Sequence, residues 1–255
     1  MTARVNPISL LPVADIPLIQ PGADLPHILI DAVTPLEPVP GDVLVIAQKI
    51  VSKAENRYVD LATVTPSPRA LELAALTQKD PRLIEVILWD SREVVRVRPG
   101  LIIVEHRLGW VCANAGVDRS NVAPEDQEMV LRLPADPDAS AARVRAKLCE
   151  HFDIAIGVII ADSHGRPHRA GTIGVAIGVA GLPALEDWRG RKDLFGYTLQ
   201  HTEVGLADQI ASAATLLLGQ AAEAIPAALV RGVPFERREG VARDLLRPRE
   251  MDLFR

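Results

Sequence analysis

One stretch constrains the fold of this chain more than any other, residues 158–181, which have the sequence VIIADSHGRPHRAGTIGVAIGVAG. The continuous apolar run over 154–160 is typical of a buried strand, and it leads directly into Asp162 and Ser163. A second apolar run follows Thr172 and is interrupted by three glycines. We therefore expect a buried strand that ends over 161–163, a cationic loop over 164–169, and then a second strand.

The residues that follow the first of these strands suit metal-phosphate chemistry. Asp162 and Ser163 supply hard oxygen ligands, and Arg166 and Arg169 complement phosphate or carboxylate groups. The three glycines, at 174, 178 and 181, would let backbone N–H groups approach an anion closely. An ordinary polar turn at a strand end explains the same residues, and this segment alone does not decide between the two interpretations.

Two other segments carry residues of the same kind. A short apolar run over 43–47 leads into Lys49 and Lys53, which share a face if the segment is helical and can approach phosphates if they lie near a strand end. A separate loop holds Asp118 and Asn121. One aspartate from each of two loops is enough for a divalent cation that also binds nucleotide phosphates. A solvated lysine pair and an Asx turn at Asp118 are the ordinary alternatives.

Hydrophobic periodicity predicts a mixture of helices and short strands. Helices are expected over 69–88 with a break at Pro81, over 138–152 with Asp138 or Ser140 as N-cap, and over 202–218 with Thr202 as N-cap. A hairpin is expected over 93–106 and a final strand over 227–231. Because strands and helices do not alternate regularly, the pattern indicates an α+β or irregular α/β fold.

Charge and composition exclude several classes of protein. The formal net charge of −5 argues against a general nucleic-acid or membrane-surface binder. No apolar run reaches the roughly 18 residues of a membrane span, and the first residues lack a signal-peptide core. Two cysteines without CxxC spacing give no disulfide framework. Neither a P-loop nor a GxSxG motif is present, and His164 and His168 lack further partners for zinc. We expect a soluble, cytoplasmic protein.

Long segments, in a fixed order, resemble the coenzyme F420-0:L-glutamate ligases, the gamma-glutamyl ligases of F420 biosynthesis. They include GDVLVIAQKIVSKAENR, GLIIVEHRLGWVCANAGVDRSNV, ADSHGRPHRAGTIGVAIGVAGLPALEDWRGRKDLFGY and HTEVGLADQIASAATLLLGQAAEAIP, and the likeness covers roughly residues 8–233. The resemblance implies one ligase domain over 1–255 with an intertwined mixed-sheet α+β fold, a charged tail over 234–255, and a homodimer with its site near the interface. Some members carry a C-terminal flavin-dependent reductase domain; we expect neither that activity nor an FMN site here.

The activity implied by the resemblance is a GTP-dependent ligation. L-glutamate would be joined to F420-0, or to its dehydro form, and then to the gamma-carboxylate of the glutamate just added. The implied route is an acyl phosphate, with GDP and phosphate as products. The resemblance also implies a divalent metal, Mg²⁺ or Mn²⁺, as two ions, with K⁺ as a further candidate.

The resemblance implies roles for particular residues. Asp118, Asp162 and Lys49 would be catalytic. Asp118 and Asp162 would bind one metal ion, and Ser163 and Gln220 a second. The implied nucleotide-binding residues are Leu10, Leu11, Pro12, Val13, Gln48, Lys49, Lys53, Asn121, Leu218, Gly219, Gln220, Ala221, Ala222, Glu223, Ala224 and Ile225.

The sequence departs from the family pattern at Asn56 and Ala224, where glycine is usual, and each departure removes a permissive backbone position. We also expect Arg166, Arg169 and the arginines of the loop at 188–191 to hold the acidic coenzyme tail or glutamate. Two other functions remain open: a related nucleotide-dependent amide ligase with another acidic substrate, and a non-catalytic protein that binds F420 or a nucleotide.

Overall fold

The computed structural model describes residues 7–123 and 127–253, which form an α+β fold, as the sequence predicts. Among these residues, no helix is both long and apolar enough to cross a bilayer. The strands are β1 (Ser9–Pro12), β2 (Val43–Ala47), β3 (Tyr58–Asp60), β4 (Ser91–Arg98), β5 (Leu101–His106), β6 (Val111–Ala113), β7 (Met129–Leu131), β8 (Gly157–Arg166), β9 (Arg169–Ala180), β10 (Glu186–Asp187), β11 (Glu203–Val204) and β12 (Ala227–Arg231). The helices are α1 (Leu25–Val33), α2 (Gln48–Ala54), α3 (Pro68–Thr77), α4 (Pro81–Trp89), α5 (Pro137–Phe152) and α6 (Leu206–Leu218).

A five-stranded sheet with the order β1-β12-β2-β8-β9 lies at the centre. Strands β2 and β8 are parallel, with Val43 opposite Gly157 and Ala47 opposite Ala161, and the other neighbours are antiparallel. Because parallel strands end at the same edge, the residues that follow β2 and those at the far end of β8 meet there. This pairing brings Gln48 and Asp162 to one end of the sheet.

Apolar side chains cover both faces of the central sheet. Leu44 and Ile46 belong to the core on one face, where α1 and α5 pack. Val43 and Val45 belong to the core on the other face, where α6 packs. Successive strand residues point to opposite faces, so a strand covered on both sides is apolar at every position. This explains the uninterrupted apolar run of β2.

A further core lies between helices α3 and α4 and the sheet of β4, β5 and β6. The helices pack on this sheet through side chains such as Leu73, Ile84 and Ile102. Pro81 is in the first turn of α4, with Asp80 as its N-cap, so the predicted break is confirmed. The hairpin of β4 and β5 and the last strand, β12, are also as expected.

Two predicted helix starts are wrong. Helix α5 begins at Pro137, and Asp136 is its N-cap, with a carboxylate that accepts a hydrogen bond from the N–H of Ala139 at 3.0 Å. Asp138 instead accepts from the N–H groups of Val179 and Ala242, at 2.8 and 2.9 Å, because it faces β9 and the tail. Helix α6 begins at Leu206 rather than near Thr202.

The expected loop over 164–169 is also wrong, because β8 continues to Arg166 and pairs with β9 from Arg169 onward. Only Pro167 and His168 connect the two strands, and His168 has a φ of 60°. Asp162 and His164 are two positions apart on one strand, so they lie on the same face. The extended hairpin thus places these polar residues on a paired strand rather than on a loop.

Two of the three glycines that were expected to approach an anion, Gly174 and Gly178, lie in β9 where a helix packs closely, and the anion contact itself stays a prediction. A Cβ at Gly174 would lie 2.6 Å from the carbonyl oxygen of Ala211 in α6. A Cβ at Gly178 would lie 2.4 Å from the carbonyl oxygen of Pro137 in α5. Both distances are shorter than van der Waals contact. The two glycines therefore let a helix approach each face of β9 closely.

We predict that Gly178→Ala lowers the free energy of unfolding by about 1–3 kcal/mol, because backbone atoms of α5 and β9 must separate. Urea denaturation measures the change. Gly165→Ala is the matched control, since it lies in the same hairpin and a Cβ there meets nothing within 4 Å. Equal stability of Gly178→Ala and Gly165→Ala would contradict the packing role.

Candidate functional site

A cavity of about 840 Å³ opens where β2 and β8 end. Its wall contains residues from five parts of the chain: 16–21, 47–58, 121–123 with 127 and 129, 161–163, and 215–226. Most of the positions carried over from the family lie in this wall: Gln48, Lys49, Lys53, Asn121, Asp162, Ser163, Leu218, Gly219, Gln220, Ala221, Ala222, Glu223, Ala224 and Ile225. A fold with the parallel pair at its centre therefore gathers residues that are far apart in sequence.

Asp118 is held at the edge of this cavity by the first turn of α2. The Gln48 side-chain amide donates to one carboxylate oxygen at 2.5 Å, and Lys49 Nζ lies 3.3 Å from the other. Lys49 also donates to the Ser120 hydroxyl at 3.2 Å. The amide oxygen of Gln48 accepts from Ser52 Oγ at 2.9 Å, which fixes the orientation of the amide. Both oxygens of Asp118 are thus positioned by α2.

The positive charge near Asp118 does not fully stabilise its ionised carboxylate. Burial raises the pKa of Asp118 to about 6, the nearby charge of Asp162 contributes in the same direction, and Lys49 only partly opposes them. Two carboxylates that destabilise each other in a partly buried setting are stabilised by a cation between or beside them. This pair therefore fits a divalent metal ion by its chemistry.

Asp162 has a partner of its own on β8. His164 Nε2 lies 3.0 Å from Asp162 Oδ2, and the two side chains are only 13% and 12% exposed. The contact constrains one carboxylate oxygen and leaves the other for an additional ligand. Arg166, farther along β8, donates to the carbonyl oxygen of Ala170 across the hairpin at 2.9 Å.

Two lysines face the cavity from α2. Burial lowers the pKa of Lys53, and the charge of Lys49 one turn away lowers it further. Asp118 offsets part of this repulsion, because it lies 3.3 Å from Lys49 Nζ, and the remaining positive charge suits a multiply charged phosphate group. Both lysines lie in helix α2, one turn apart, and both line the cavity.

The segment after α6 forms another side of the cavity. Its Ala221 accepts a hydrogen bond from Asn121 Nδ2 at 2.8 Å and donates to Glu223 Oε2 at 2.8 Å. Ala224 and Asn56 are the two positions where the sequence departs from the family pattern, and their φ angles are 55° and 52°. Both positions thus keep the left-handed backbone that glycine would adopt. Asn tolerates this conformation, whereas Ala pays about 1–2 kcal/mol.

The donors needed for a metal are oxygen atoms. Ser163 and Gln220 line the same cavity as Asp162, and hydroxyl and amide oxygens are hard ligands like carboxylates. Within the described ranges, no three His, Cys, Asp or Glu side chains cluster closely enough to hold a metal ion by themselves. A divalent ion here would complete its coordination with substrate phosphates and water.

Some predicted positions lie elsewhere. Leu10, Leu11 and Pro12 belong to β1 at the edge of the central sheet, and Val13 is fully buried in a core; the segment 16–21 just after them lines the cavity instead. Arg189 is ion-paired with Asp187 at 2.6 Å, and Arg191 lies over the Trp188 ring at 5.0 Å from its centre. The roles of these residues stay predictions.

Sequence reasoning missed several residues of the cavity wall. They are Ile16, Pro17, Leu18, Ile19, Gln20, Pro21, Ala47, Ile50, Tyr58, Val122, Ala123, Gln127, Met129, Ala161, Thr215 and Pro226. Most are apolar and match no motif. The available signal was weak: the stretch at 16–21 contains two prolines, Pro17 and Pro21, and has no helical or strand periodicity.

We predict that Asp118→Asn stabilises the protein at neutral pH when a chelator is present. The carboxyl pKa is raised on folding, so the contribution of Asp118 to stability is lost as the pH rises from about 4 to about 6, and the neutral variant lacks this loss. The expected gain is about 1–3 kcal/mol above that window. Urea denaturation at pH 4 and pH 8 measures it. Asp31→Asn, whose side chain is 71% exposed, is the control, and an equal effect in both variants would contradict the prediction.

Comparison with known proteins gives one family. A model of the family described as F420-0:Gamma-glutamyl ligase matches residues 14–232. A protein named Coenzyme F420:L-glutamate ligase from Methanothermobacter thermautotrophicus is 46% identical over 97% of this chain and 99% of its own length. The protein of the same name from Methanopyrus kandleri is 47% identical over 100% of this chain and 98% of its own length. The one from Archaeoglobus fulgidus is 40% identical over 97% of this chain and 96% of its own length. The chain belongs to the F420-0:gamma-glutamyl ligase family.

Proposed function

We propose that this protein is a GTP-dependent ligase that adds L-glutamate to coenzyme F420-0 and then to the gamma-carboxylate of the added residue. One observation carries the proposal: a single cavity holds the Asp162 carboxylate and two lysines, with Asp118 fixed at its edge. Charges of both signs at one site suit a complex of a divalent cation with a polyphosphate. The names of the relatives supply the two other substrates.

In this proposal each residue of the site binds or orients a reactant. Lys49 and Lys53 neutralise the phosphate oxygens. Asp118 and Asp162 hold one divalent ion, and Ser163 and Gln220 a second. When bound, these ions would supply positive charge to the phosphates and so stabilise the charge that develops during transfer. Gln48 and His164 keep the two aspartates in orientation.

The proposed reaction has two steps. A carboxylate oxygen of F420-0 attacks the gamma-phosphorus of GTP, a bond to the bridging oxygen breaks, and GDP leaves. The amine nitrogen of glutamate then attacks the acyl carbon, phosphate leaves, and the amine loses a proton. Both partners are anions, so the site must lower their repulsion and hold them in line, which the lysine pair is placed to do. Potassium as a further ion stays a prediction.

The chain is proposed to act as one ligase domain and as a homodimer in the cytoplasm. The loop after β10 exposes Leu194, Phe195 and Tyr197, which are 98%, 95% and 62% accessible in a single copy. Large apolar side chains clustered in this way are typical of protein contacts. Sedimentation of the purified chain measures the subunit count.

We predict a ladder of glutamate additions when F420-0 is incubated with the protein, L-glutamate, GTP and Mg²⁺ or Mn²⁺. Mass spectrometry counts the additions. Asp162→Asn is expected to reduce turnover at least about 10²-fold, since it removes a charged ligand of the phosphate-bound cation. Asp31→Asn should leave turnover unchanged. GDP release with another acid but no mass change of F420-0 would indicate a related ligase, and neither product would favour a binding protein.

We also predict that glutamate addition requires a divalent metal ion and that this ion is bound by Asp118 and Asp162. A chelator should abolish glutamate addition, and excess Mn²⁺ should restore it. Electron paramagnetic resonance of Mn²⁺ should show binding to the wild type and a loss of affinity of about 10-fold or more in Asp118→Asn and in Asp162→Asn. Unchanged Mn²⁺ affinity in both variants would contradict the assignment even if turnover were lost.

A further inference from the structure

A second, smaller cavity of about 310 Å³ lies at the opposite end of the central sheet. Gly157, the first residue of β8, is in its wall, and Gly41 precedes β2 there. Asp162 is five positions along the same strand, which corresponds to about 16 Å. The second cavity is therefore separate from the candidate catalytic cavity, and nothing in the proposed reaction uses it.

Positive charge dominates the wall of this second cavity. Arg145, Arg237 and Arg238 contribute three guanidinium groups, and Glu239 is the one acidic side chain among the wall residues that the structure describes. Asp42 follows the wall residue Gly41 and is buried. Its carboxylate is already paired with Arg231 at 2.8 Å, so it does not neutralise these arginines. Three guanidinium groups and one carboxylate leave a local excess of two positive charges.

Two of the three arginines are fixed before any ligand binds. Arg145 Nε donates to the carbonyl oxygen of Ile156 at 3.0 Å, and Arg238 Nη2 donates to that of Leu185 at 2.5 Å. Each guanidinium keeps further N–H groups for another acceptor. Arg237 makes no hydrogen bond or ion pair with the described parts of the chain. The cavity thus combines pre-ordered donors with one uncommitted cation.

Glu239 shows that the wall can hold an oxyanion. One of its oxygens lies 3.1 Å from Arg145 Nη1, and the other accepts from the N–H of Gly181 at 3.0 Å. Gly181 has a φ of 80°, and a Cβ there would overlap the Arg145 side chain, so the cradle requires glycine at this position. The Glu239 side chain is 71% exposed and can leave without opening the core.

We propose that this second cavity binds a small phosphate-class oxyanion, which takes the place of the Glu239 carboxylate between Arg145 and the N–H of Gly181 and also pairs with Arg237 and Arg238. A tetrahedral dianion offers more acceptor oxygens than a carboxylate and matches the guanidinium fork. The volume is at the lower end for ligand pockets and much smaller than that of the catalytic cavity, so free phosphate or a small phosphomonoester fits better than a nucleotide.

Calorimetric titration of the metal-free protein with inorganic phosphate, at constant ionic strength, tests the proposal. The wild type should bind phosphate, and the double variant Arg237→Gln/Arg238→Gln should bind it about 10-fold or more weakly. Glu239→Gln should bind more tightly, because the competing charge is gone. The matched control is Arg243→Gln/Arg247→Gln, which changes the net charge equally on the same tail outside the cavity. A parallel titration with glycerol phosphate distinguishes free phosphate from a phosphomonoester as the preferred ligand.

Three results would overturn the proposal: no phosphate binding by the wild type, equal weakening in both double variants, or no effect of Arg237→Gln/Arg238→Gln. Circular dichroism confirms that each variant is folded. Because the test needs neither GTP nor F420-0, its failure leaves the proposed ligase function untouched, and failure of the ligase assay leaves this site untouched.

Discussion

The parallel pairing of β2 with β8 is the interaction on which the candidate site depends. It places the first turn of α2 beside Asp162 and Ser163, although more than a hundred positions separate the two strands in sequence. Both strands are covered by apolar layers on both faces, so a shift of register by one residue would move core side chains such as Leu44 and Val45 to the wrong layer. The geometry of the polar groups at the sheet's end therefore follows from packing in its middle.

The electrostatics of the site oppose the folding of the protein alone. Asp118 is partly buried near a second carboxylate, while Lys53 is partly buried near a second cation. Each arrangement has a cost that a bound ion or polyphosphate would relieve. Ala224 adds backbone strain in the same wall. The unfavourable charges of the site are therefore balanced by the stability of a central sheet that is covered by an apolar core on each face.

Much of the fold was accessible from sequence because local rules decided it. Pro81 starts a helix, and the apolar runs of β2 and β8 are buried strands, as their composition predicts. The wrong predictions concern residues whose structure is determined by partners that are distant in sequence. His164 and Arg166 looked like loop residues, but β9 pairs with them and extends the strand. Asp138 looked like a helix cap, but it accepts hydrogen bonds from residues 41 and 104 positions away.

The site shows the same division between local and distant effects. The family resemblance supplied Lys49, Asp118 and Asp162 by number, and the structure gathers them around one cavity. The apolar wall at 16–21 carried no recognisable pattern, because its role comes from where the chain crosses the sheet's end. Gly174 and Gly178 were expected to approach an anion, and only the positions of α5 and α6 reveal that these two glycines allow close helix packing.

The order of the central sheet has a consequence for synthesis on the ribosome. Strand β2 emerges early but needs β8 on one side and β12 on the other, and β1 also pairs with β12 near the end of the described chain. The growing polypeptide thus carries exposed apolar strands until its last fifth is made, and the cavity at the end of the sheet stays incomplete during that time. We expect the nascent chain to rely on chaperones that shield such strands.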